Sequence, residues 1–218
     1  MTERRNFYGR LKGKSLKPAQ QRYLDEDLPG LSFLKDGAPP DPLPSPLWLE
    51  IGFGSGEHLV HQAKLHPDVT FVGAEPYVNG VASLLGKLRR EGVGNVRVHH
   101  GDARDLMDVL PDGAVDRASL LYPAPWPKAR HHRRRFVTPD HLFPLHRIMA
   151  EGAELRIASD IGSYIHQALI EVPRAGFEWT AREAAAWREP WADWTRTRYE
   201  AKAVREGRTP TYLTFVRR

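Results

Sequence analysis

Residues 47–57 read LWLEIGFGSGE, in which an apolar run is followed by glycines at the alternate positions 52, 54 and 56. Glycine lets the backbone turn sharply and approach a ligand closely, and a helix after such a turn presents free N–H groups. The pattern predicts a strand over 47–51, a loop, and a helix from about Glu57. A tight strand–helix turn without a ligand has the same pattern, so the loop alone is weak evidence for binding.

Beyond this loop, short apolar runs alternate with longer amphipathic stretches. The apolar runs predict further strands at 69–75, 96–99, 116–122, 154–159 and 211–216. Helical spacing predicts helices at 78–90, near 106–110, from Thr138-Pro139 onward and at 161–172. Repeated strand–helix units predict an α/β fold, with a mostly parallel sheet of about seven strands, helices on both faces and an antiparallel strand near one edge.

Residues 1–46 lack strong periodicity. They begin basic and end in the segment 36–46, DGAPPDPLPSP, which is too rich in proline for a helix or a central strand. We therefore predict two parts: a basic N-terminal arm with a proline-rich connector over 1–46, and one domain over 47–218.

The 218 residues include no cysteine, which excludes disulfides, thiolate zinc sites, iron–sulfur clusters and cysteine nucleophiles. An apolar fraction of 41% and a charged fraction of 27% are typical of a globular protein rather than a disordered one. No apolar run reaches the roughly 18 residues that a membrane span needs. The basic start, MTERRNFYGR, is followed by no apolar stretch. We expect a cytoplasmic protein without a membrane partner.

Basic residues are concentrated in three short segments. Seven lie in 1–22, five in 128–135 and seven in 196–218, out of 32 in a chain whose formal net charge is +5. Such clusters are typical of proteins that bind a polyanion. Three separate solvated faces would give the same counts, so charge alone leaves both interpretations open.

An acid follows the second predicted strand. Glu75 comes 23 residues after Gly52, where a carboxylate is suited to hold the hydroxyls of a ribose. Nicotinamide dinucleotide motifs have the spacing G-x-G-x-x-G, whereas here Glu50 precedes glycines at every second position. Glu-x-Gly-x-Gly-x-Gly resembles the S-adenosylmethionine motif of Rossmann-like methyltransferases. This resemblance implies that Asp102 and Ala103, just after the third strand, contact the adenine.

The fourth predicted strand leads into residues 121–135, LYPAPWPKARHHRRR, at the edge where open α/β sheets bind ligands. The prolines restrict the backbone, Trp126 offers a flat apolar face, and arginines can clamp phosphates. Ordinary core packing is the alternative for Trp126, and a solvated surface is the alternative for His131 and His132. No acid or histidine lies at ligand spacing from these histidines, so we expect no metal site.

Pro-x-Pro-Trp-x-Lys followed by Arg-His-x-x-Arg-Arg resembles the signature of bacterial tRNA (guanine-N7-)-methyltransferases. Other segments agree in the same order: FYGR at 7–10, the glycine loop, VGAE at 72–75, Asp160, and TRYE at 197–200. The resemblance covers the chain from about residue 7 to its end. It implies a class I methyltransferase fold, S-adenosylmethionine as methyl donor, S-adenosylhomocysteine as product and tRNA as partner. The methyl group would go to N7 of a variable-loop guanine.

The resemblance also implies roles for individual residues. It places Glu50, Glu75 and Asp102 on S-adenosylmethionine, together with Gly52, Gly54, Gly56 and Ala103. Substrate positions correspond to Lys128, Asp160, Thr197, Arg198, Tyr199 and Glu200, with Asp160 and Glu200 as the candidate catalytic acids. The RNA-contacting stretch corresponds to Arg130, His131, His132, Arg133, Arg134 and Arg135. A helix cap is the alternative for Asp160, and a surface ion pair is the alternative for Glu200.

One position departs from the family pattern. Family members have an aspartate with a catalytic or guanine-positioning role between the two prolines, and here that position is Ala124. Guanine N7 carries a lone pair and no proton, so methyl transfer needs alignment rather than a general base. Losing one hydrogen-bonding anchor costs about 1–3 kcal/mol, or roughly 10- to 100-fold in rate. We therefore expect an activity that is reduced but not abolished, and that Ala124→Asp raises.

Two other functions fit part of the sequence. A protein that binds tRNA and S-adenosylmethionine but has lost turnover would account for Ala124. An amino-group nucleic-acid methyltransferase would use an Asp/Asn-Pro-Pro-aromatic tetrad, which residues 122–126 partly resemble, but it needs the acidic or amide side chain that position 124 lacks. No feature points to an obligate protein partner, so we expect a monomer or a homodimer.

Overall fold

The computed structural model describes residues 8–218. Phe7 of the predicted arm motif, and Arg4 and Arg5 of its basic cluster, lie outside the described residues. Within the described chain, seven strands form one sheet: β1 (Leu47–Ile51), β2 (Thr70–Ala74), β3 (Val96–His99), β4 (Val115–Leu121), β5 (Met149–Ser159), β6 (Phe177–Trp179) and β7 (Thr211–Arg217).

The strands lie in the order β3-β2-β1-β4-β5-β7-β6. Strands β1 to β5 are parallel, β7 is antiparallel to β5, and β6 is antiparallel to β7. Because the order reverses between β1 and β4, a crevice opens at the carboxyl ends of these two strands. The predicted α/β fold, with an antiparallel strand near one edge, is confirmed.

The α-helices of the described chain are α1 (Pro18–Arg22), α2 (Leu28–Leu31), α3 (Glu57–Leu65), α4 (Val78–Glu91), α5 (Ala103–Val109), α6 (Pro139–Ile148), α7 (Gly162–Arg174), α8 (Ala185–Arg188) and α9 (Arg198–Arg205). In α4, apolar residues at helical spacing form one buried face, and Gly92, with a φ of 66°, ends the helix. None of these helices, in residues 8–218, has the length and apolar character needed to cross a membrane.

The N-terminal segment is more ordered than its sequence predicts. Helix α1, a π-helical turn (Tyr23–Asp27) and α2 follow one another and pack on α4 and the β3 edge. Tyr23, Leu28 and Leu31 lie against the apolar cluster that α4 forms with β2 and β3. Phe33 is buried, and its backbone N–H donates to the carbonyl of Val98 at 2.9 Å. Burial against the domain, rather than local periodicity, orders this segment.

Strand β6 was not predicted either. It has three residues and pairs only through β7, at the outer edge of the sheet. A strand this short is too brief to show a period of two.

Candidate active site

A cleft of about 1150 Å³ lies at the carboxyl ends of the parallel strands. Its walls come from the glycine loop after β1, the ends of β2, β4 and β5, the starts of α5 and α6, helix α9 and the N-terminal segment. Of the residues predicted for the site, the cleft is lined by Gly52, Gly54, Glu75, Asp102, Ala103, Ala124, Arg133, Arg134, Asp160 and Tyr199. The fold thus brings residues from the whole length of the domain to one place.

The glycine loop presents bare backbone to the cleft. Gly52 and Gly54 have φ values of 72° and 59°, which glycine adopts without the strain that other residues suffer. A Cβ on Gly52 would meet no protein atom within 4 Å, so its position is open space on the cleft wall. A Cβ on Gly54 would lie 3.0 Å from the ring of Tyr199, because α9 packs close to this loop. A ligand can therefore approach the backbone at Gly52.

Glu75 is fixed at the end of β2 by main-chain donors. Its carboxylate accepts hydrogen bonds from the N–H of Gly54 at 2.8 Å and from the N–H of Tyr77 at 2.9 Å. Burial raises the pKa of Glu75, and these two N–H donors act in the opposite direction. Each carboxylate oxygen has a second lone pair, so the group can still accept from hydroxyls of a ligand in the cleft.

Asp102 caps the start of α5 and lines the same wall. It accepts hydrogen bonds from the backbone N–H of Arg104 at 3.0 Å and from its Nε at 2.9 Å. Burial acts to raise the pKa of Asp102, but the bonds from Arg104 outweigh it and hold this pKa below its ordinary value. The carboxylate therefore stays ionised next to Ala103.

The β4 loop, residues 122–128, forms the opposite wall. Tyr122 and Trp126 have φ values of 48° and 41°, in the left-handed region that costs non-glycine residues energy. Between them Ala124 is exposed and lines the cleft, with only a methyl group to offer. A backbone held in this conformation at two positions needs support from the surrounding structure.

That support comes from Arg135, which is fully buried. Its guanidinium donates to the carbonyl of Pro125 at 2.8 Å and to that of Trp126 at 3.4 Å. It also donates to the carbonyl and hydroxyl of Ser163 and to the side chain of Gln167 on α7. Arg135 was predicted among the RNA-contacting residues, but the structure buries it as an anchor of the β4 loop.

At the mouth of the cleft, the guanidinium of Arg134 lies over two aromatic rings that contact each other edge-on, an arrangement we call the aromatic–arginine stack. Its guanidinium carbon is 4.8 Å from the ring centre of Tyr8 and 5.0 Å from that of Trp126. His131 packs edge-on against Trp126, with ring centres 5.9 Å apart. The surface combines flat faces with positive charge, as a stacking platform for an unpaired base requires.

Asp160 lies at the end of β5 and lines the cleft together with Arg208. The two side chains form a hydrogen-bonded ion pair through Arg208 Nε and Asp160 Oδ2. Arg208 was predicted only as one of the basic residues in the 196–218 cluster. Because the two positions are 48 apart in the sequence, no local spacing predicts this pair.

Glu50 lies off the cleft, although it was predicted to contact the cofactor. It is 5% exposed, and its Oε2 lies 2.7 Å from Nδ1 of His58 on α3. Side chains alternate along a strand, so Glu50 points to the sheet face opposite its neighbours Leu49 and Ile51. The pair ties the strand that precedes the glycine loop to the helix that follows it.

Glu200 is also buried away from the cleft wall. Its carboxylate accepts from Nε1 of Trp194 at 2.6 Å and from the hydroxyl of Tyr212 at 2.9 Å. Thr197 caps α9 by accepting from the N–H of Glu200 at 3.2 Å. Further predicted residues outside the wall of the cleft are Gly56, Lys128, Arg130, His131, His132 and Arg198. Within residues 8–218, no group of three or more His, Cys, Asp or Glu residues is placed to hold a metal ion.

Comparisons with known sequences agree over nearly the whole chain. A methyltransferase family model, Methyltransf_4, matches residues 44–213. The chain is 63% identical to the tRNA (guanine-N(7)-)-methyltransferase of Roseobacter denitrificans, over 98% of this chain and 96% of that protein. It is 61% identical to the protein of the same name from Ruegeria pomeroyi, over 98% of this chain and 95% of that protein.

Solved structures with the same fold are more distant in sequence. The 16S rRNA methyltransferase KamB is similar at a TM-score of 0.57 and 15% identity, over 96% of this chain and 99% of that one. An antibiotic-related methyltransferase is similar at a TM-score of 0.54 and 16% identity, over 93% and 95%. At such low identity the likeness concerns the fold alone.

Proposed function

The chain belongs to the tRNA (guanine-N7)-methyltransferase family, and on that premise we propose how its cleft transfers a methyl group to guanine N7 in tRNA. The observation that carries the proposal is the continuity of the cleft. One wall has the glycine loop with Glu75 and Asp102, and the other has Asp160 and the aromatic–arginine stack. A methyl donor on the first wall and a base on the second would meet within one space.

The first wall fits S-adenosylmethionine. Gly52 leaves room where any side chain would intrude, Glu75 has free lone pairs for ribose hydroxyls, and Asp102 with Ala103 lines the far side. When bound, S-adenosylmethionine supplies a methyl group activated by the sulfonium charge. Glu50 supports the glycine loop from outside the cleft, because its contact with His58 joins β1, which precedes the loop, to α3, which follows it.

The second wall has to align the base, because guanine N7 needs no general base. Asp160 can accept hydrogen bonds from N1–H and the exocyclic amine of guanine, and Trp126 can stack on the ring. The negative charge of Asp160 also stabilises the positive charge that develops on the purine. Glu200 acts through Trp194 and Tyr212, which it holds, rather than by touching the base.

Position 124 lacks a hydrogen-bond acceptor on this second wall. The carboxylate that the family resemblance assigns here would face the cleft, and Ala124 cannot accept a hydrogen bond. We expect turnover to continue, since alignment comes from several groups, but at a reduced rate.

Basic side chains around the cleft suit the tRNA backbone. Arg10, Arg133, Arg134 and Lys202 line the cleft or its mouth. Their charges favour phosphates, and counterion release makes such binding fall steeply with salt. The cytoplasm is the location that fits an enzyme acting on tRNA. Residues of a single chain line the cleft, which fits a monomer as well as a homodimer.

A binding protein without turnover is the second candidate, and exposed Ala124 is the observation that favours it. Labelled S-adenosylmethionine and an unmodified tRNA transcript separate the two. If the protein is a methyltransferase, we expect label in the transcript, and no label when the variable-loop guanine is replaced by adenine. Bound tRNA and bound S-adenosylmethionine without any label would identify the binding protein.

A further inference from the structure

Arg208 is held in the cleft by the turn that follows α9. Gly207, with a φ of 73°, reverses the chain, and the N–H of Arg208 donates to the carbonyl of Ala203 at 2.9 Å. This turn places the guanidinium on the cleft wall beside Asp160, the acid at the end of β5. The position is defined by main-chain geometry, so Arg208 is not a loosely tethered surface charge.

Within residues 8–218, the hydrogen bonds of Arg208 leave one of its nitrogens without an acceptor. Nε is bonded to Asp160 and Nη1 to Glu206, while Nη2 has no hydrogen-bond acceptor within residues 8–218. The side chain is 38% exposed, whereas that of Asp160 is 11% exposed. The pair therefore offers the cleft a carboxylate acceptor and, next to it, an N–H donor on Nη2.

We propose that Arg208 is a specificity-determining residue that donates to O6 of the target guanine while Asp160 accepts from N1–H and the exocyclic amine. The inference rests on the proposed function and names the groups that distinguish the base. The Watson–Crick edge of guanine has one acceptor beside two donors, which matches this pair. Adenine with N7 in the same place would turn its amine toward Arg208 and its bare N1 toward Asp160. Both contacts would then be mismatched.

The simpler role for Arg208 is to hold Asp160 in position by its charge. The two roles differ in how activity depends on the base. A donor to O6 acts only on bases that have this oxygen, whereas a residue that positions Asp160 affects every base equally.

The test compares three transcripts with guanine, inosine or 6-thioguanine at the methylated position. Inosine lacks the amine and keeps O6, while 6-thioguanine keeps the amine and N1–H but replaces O6 with a poor acceptor. We expect Arg208→Met to lower kcat/KM roughly 10- to 100-fold on guanine and on inosine, the range for a hydrogen bond to a charged group. On 6-thioguanine the loss should be less than about twofold, since the wild-type enzyme has no O6 bond there to lose.

Arg205→Met is the matched control, because Arg205 is an exposed arginine of the same helix end. Arg208→Lys, which keeps a charge, covers the case in which the methionine variant folds poorly, and S-adenosylmethionine affinity reports an intact domain. An equal loss on all three bases, or no loss on guanine, would overturn the proposal. Absence of wild-type methyl transfer to guanine would instead refute the proposed function, so the two failures are distinct.

Discussion

The two walls of the cleft are held by different kinds of bond. On the wall with Glu75 and Asp102, which we propose binds the cofactor and call the cofactor wall, Glu75 and the glycine loop are joined by main-chain donors. The N–H of Gly52 also donates to the carbonyl of Ala74 at 2.8 Å. On the wall with Asp160 and the β4 loop, which we propose binds the substrate and call the substrate wall, the bonds come from arginine side chains. Arg135 anchors the β4 loop, and Arg208 pairs with Asp160. Main-chain bonds fix a shape regardless of what is bound, whereas the exposed Arg133 on the same wall is available to an anion.

This difference indicates a division of labour. On the cofactor wall, Glu75 and Asp102 already accept hydrogen bonds from the protein, and each carboxylate keeps lone pairs for a ligand. The substrate wall has more positive groups than acids to pair them, which suits a polyanion such as tRNA. Each wall can therefore be disturbed separately by a single substitution.

Arg135→Met should produce the largest change. It leaves the carbonyls of Pro125 and Ser163 without their donor, and each hydrogen bond to a charged group contributes about 1.5–3 kcal/mol to the unfolding free energy. Chemical denaturation measures this. Arg130→Met, the same change at an exposed position, should alter the unfolding free energy by less than about 0.5 kcal/mol. Equal effects at both positions would mean that Arg135 is no anchor.

Glu75→Gln should lower the affinity for S-adenosylmethionine and leave tRNA binding unchanged. An amide cannot accept as strongly from two ribose hydroxyls, so we expect S-adenosylmethionine affinity to fall by about 2–3 kcal/mol, or roughly 30- to 150-fold. Calorimetry measures this, with Glu178→Gln at the far sheet edge as a control that leaves affinity unchanged. Unchanged affinity in Glu75→Gln would place the cofactor elsewhere.

The same residue gives a pH dependence. Because burial raises the pKa of Glu75 above 4.5, acidification should weaken S-adenosylmethionine binding at pH values where an ordinary carboxyl is still ionised. The stability of the unliganded protein has the opposite slope: the contribution of Glu75 is complete below pH 4.5 and is lost as pH rises through the raised pKa. Affinity of Glu75→Gln should not follow this pH profile.

Ala124→Asp should strengthen the substrate wall. A carboxylate at this exposed position gains a hydrogen bond to the base, for an increase in kcat of roughly 10-fold. Single-turnover methyl transfer measures the rate, and S-adenosylmethionine affinity should stay constant. A variant that binds both ligands as before without a rate increase would remove position 124 from the mechanism.

Arg133→Ala should have the smallest effect. Arg133 is exposed on the cleft wall, and loss of one phosphate contact should reduce the slope of log K for tRNA against log salt by about one. Arg174→Ala is the control, because Arg174 is the last residue of α7 and does not line the cleft, and it should leave the slope unchanged. A reduced slope in the control as well would mean that tRNA responds to the positive charge of the whole surface rather than to the arginines of the cleft.

The contrast between the walls also explains what sequence could predict. The shape of the cofactor wall follows from local signals, since the strand ends and the glycine loop lie where the pattern predicts them. Glu75, expected from its spacing, and Asp102, expected from the family resemblance, both line the cleft. The strands β1 to β5 and the helix α4 were predicted to within a few residues, apart from the start of β5.

The substrate wall depends on residues that are far apart in the chain. Arg135 meets Ser163, and Arg208 meets Asp160, only because the sheet brings α7 and the end of α9 to the β4 loop and β5. Composition marked all these arginines alike as surface charge, and nothing local separates a buried anchor from a phosphate contact. Glu50 and Glu200 show the same limit, since their burial depends on packing partners such as His58 and Trp194.

The most direct test locates the methyl group. After methyl transfer from S-adenosylmethionine to an unmodified tRNA transcript, borohydride reduction and aniline treatment cleave the RNA at N7-methylguanine. One cut in the variable loop is the result expected if the cleft aligns guanine N7 with the methyl donor. Methyl label that resists this cleavage, or cuts spread over many guanines, would contradict that alignment.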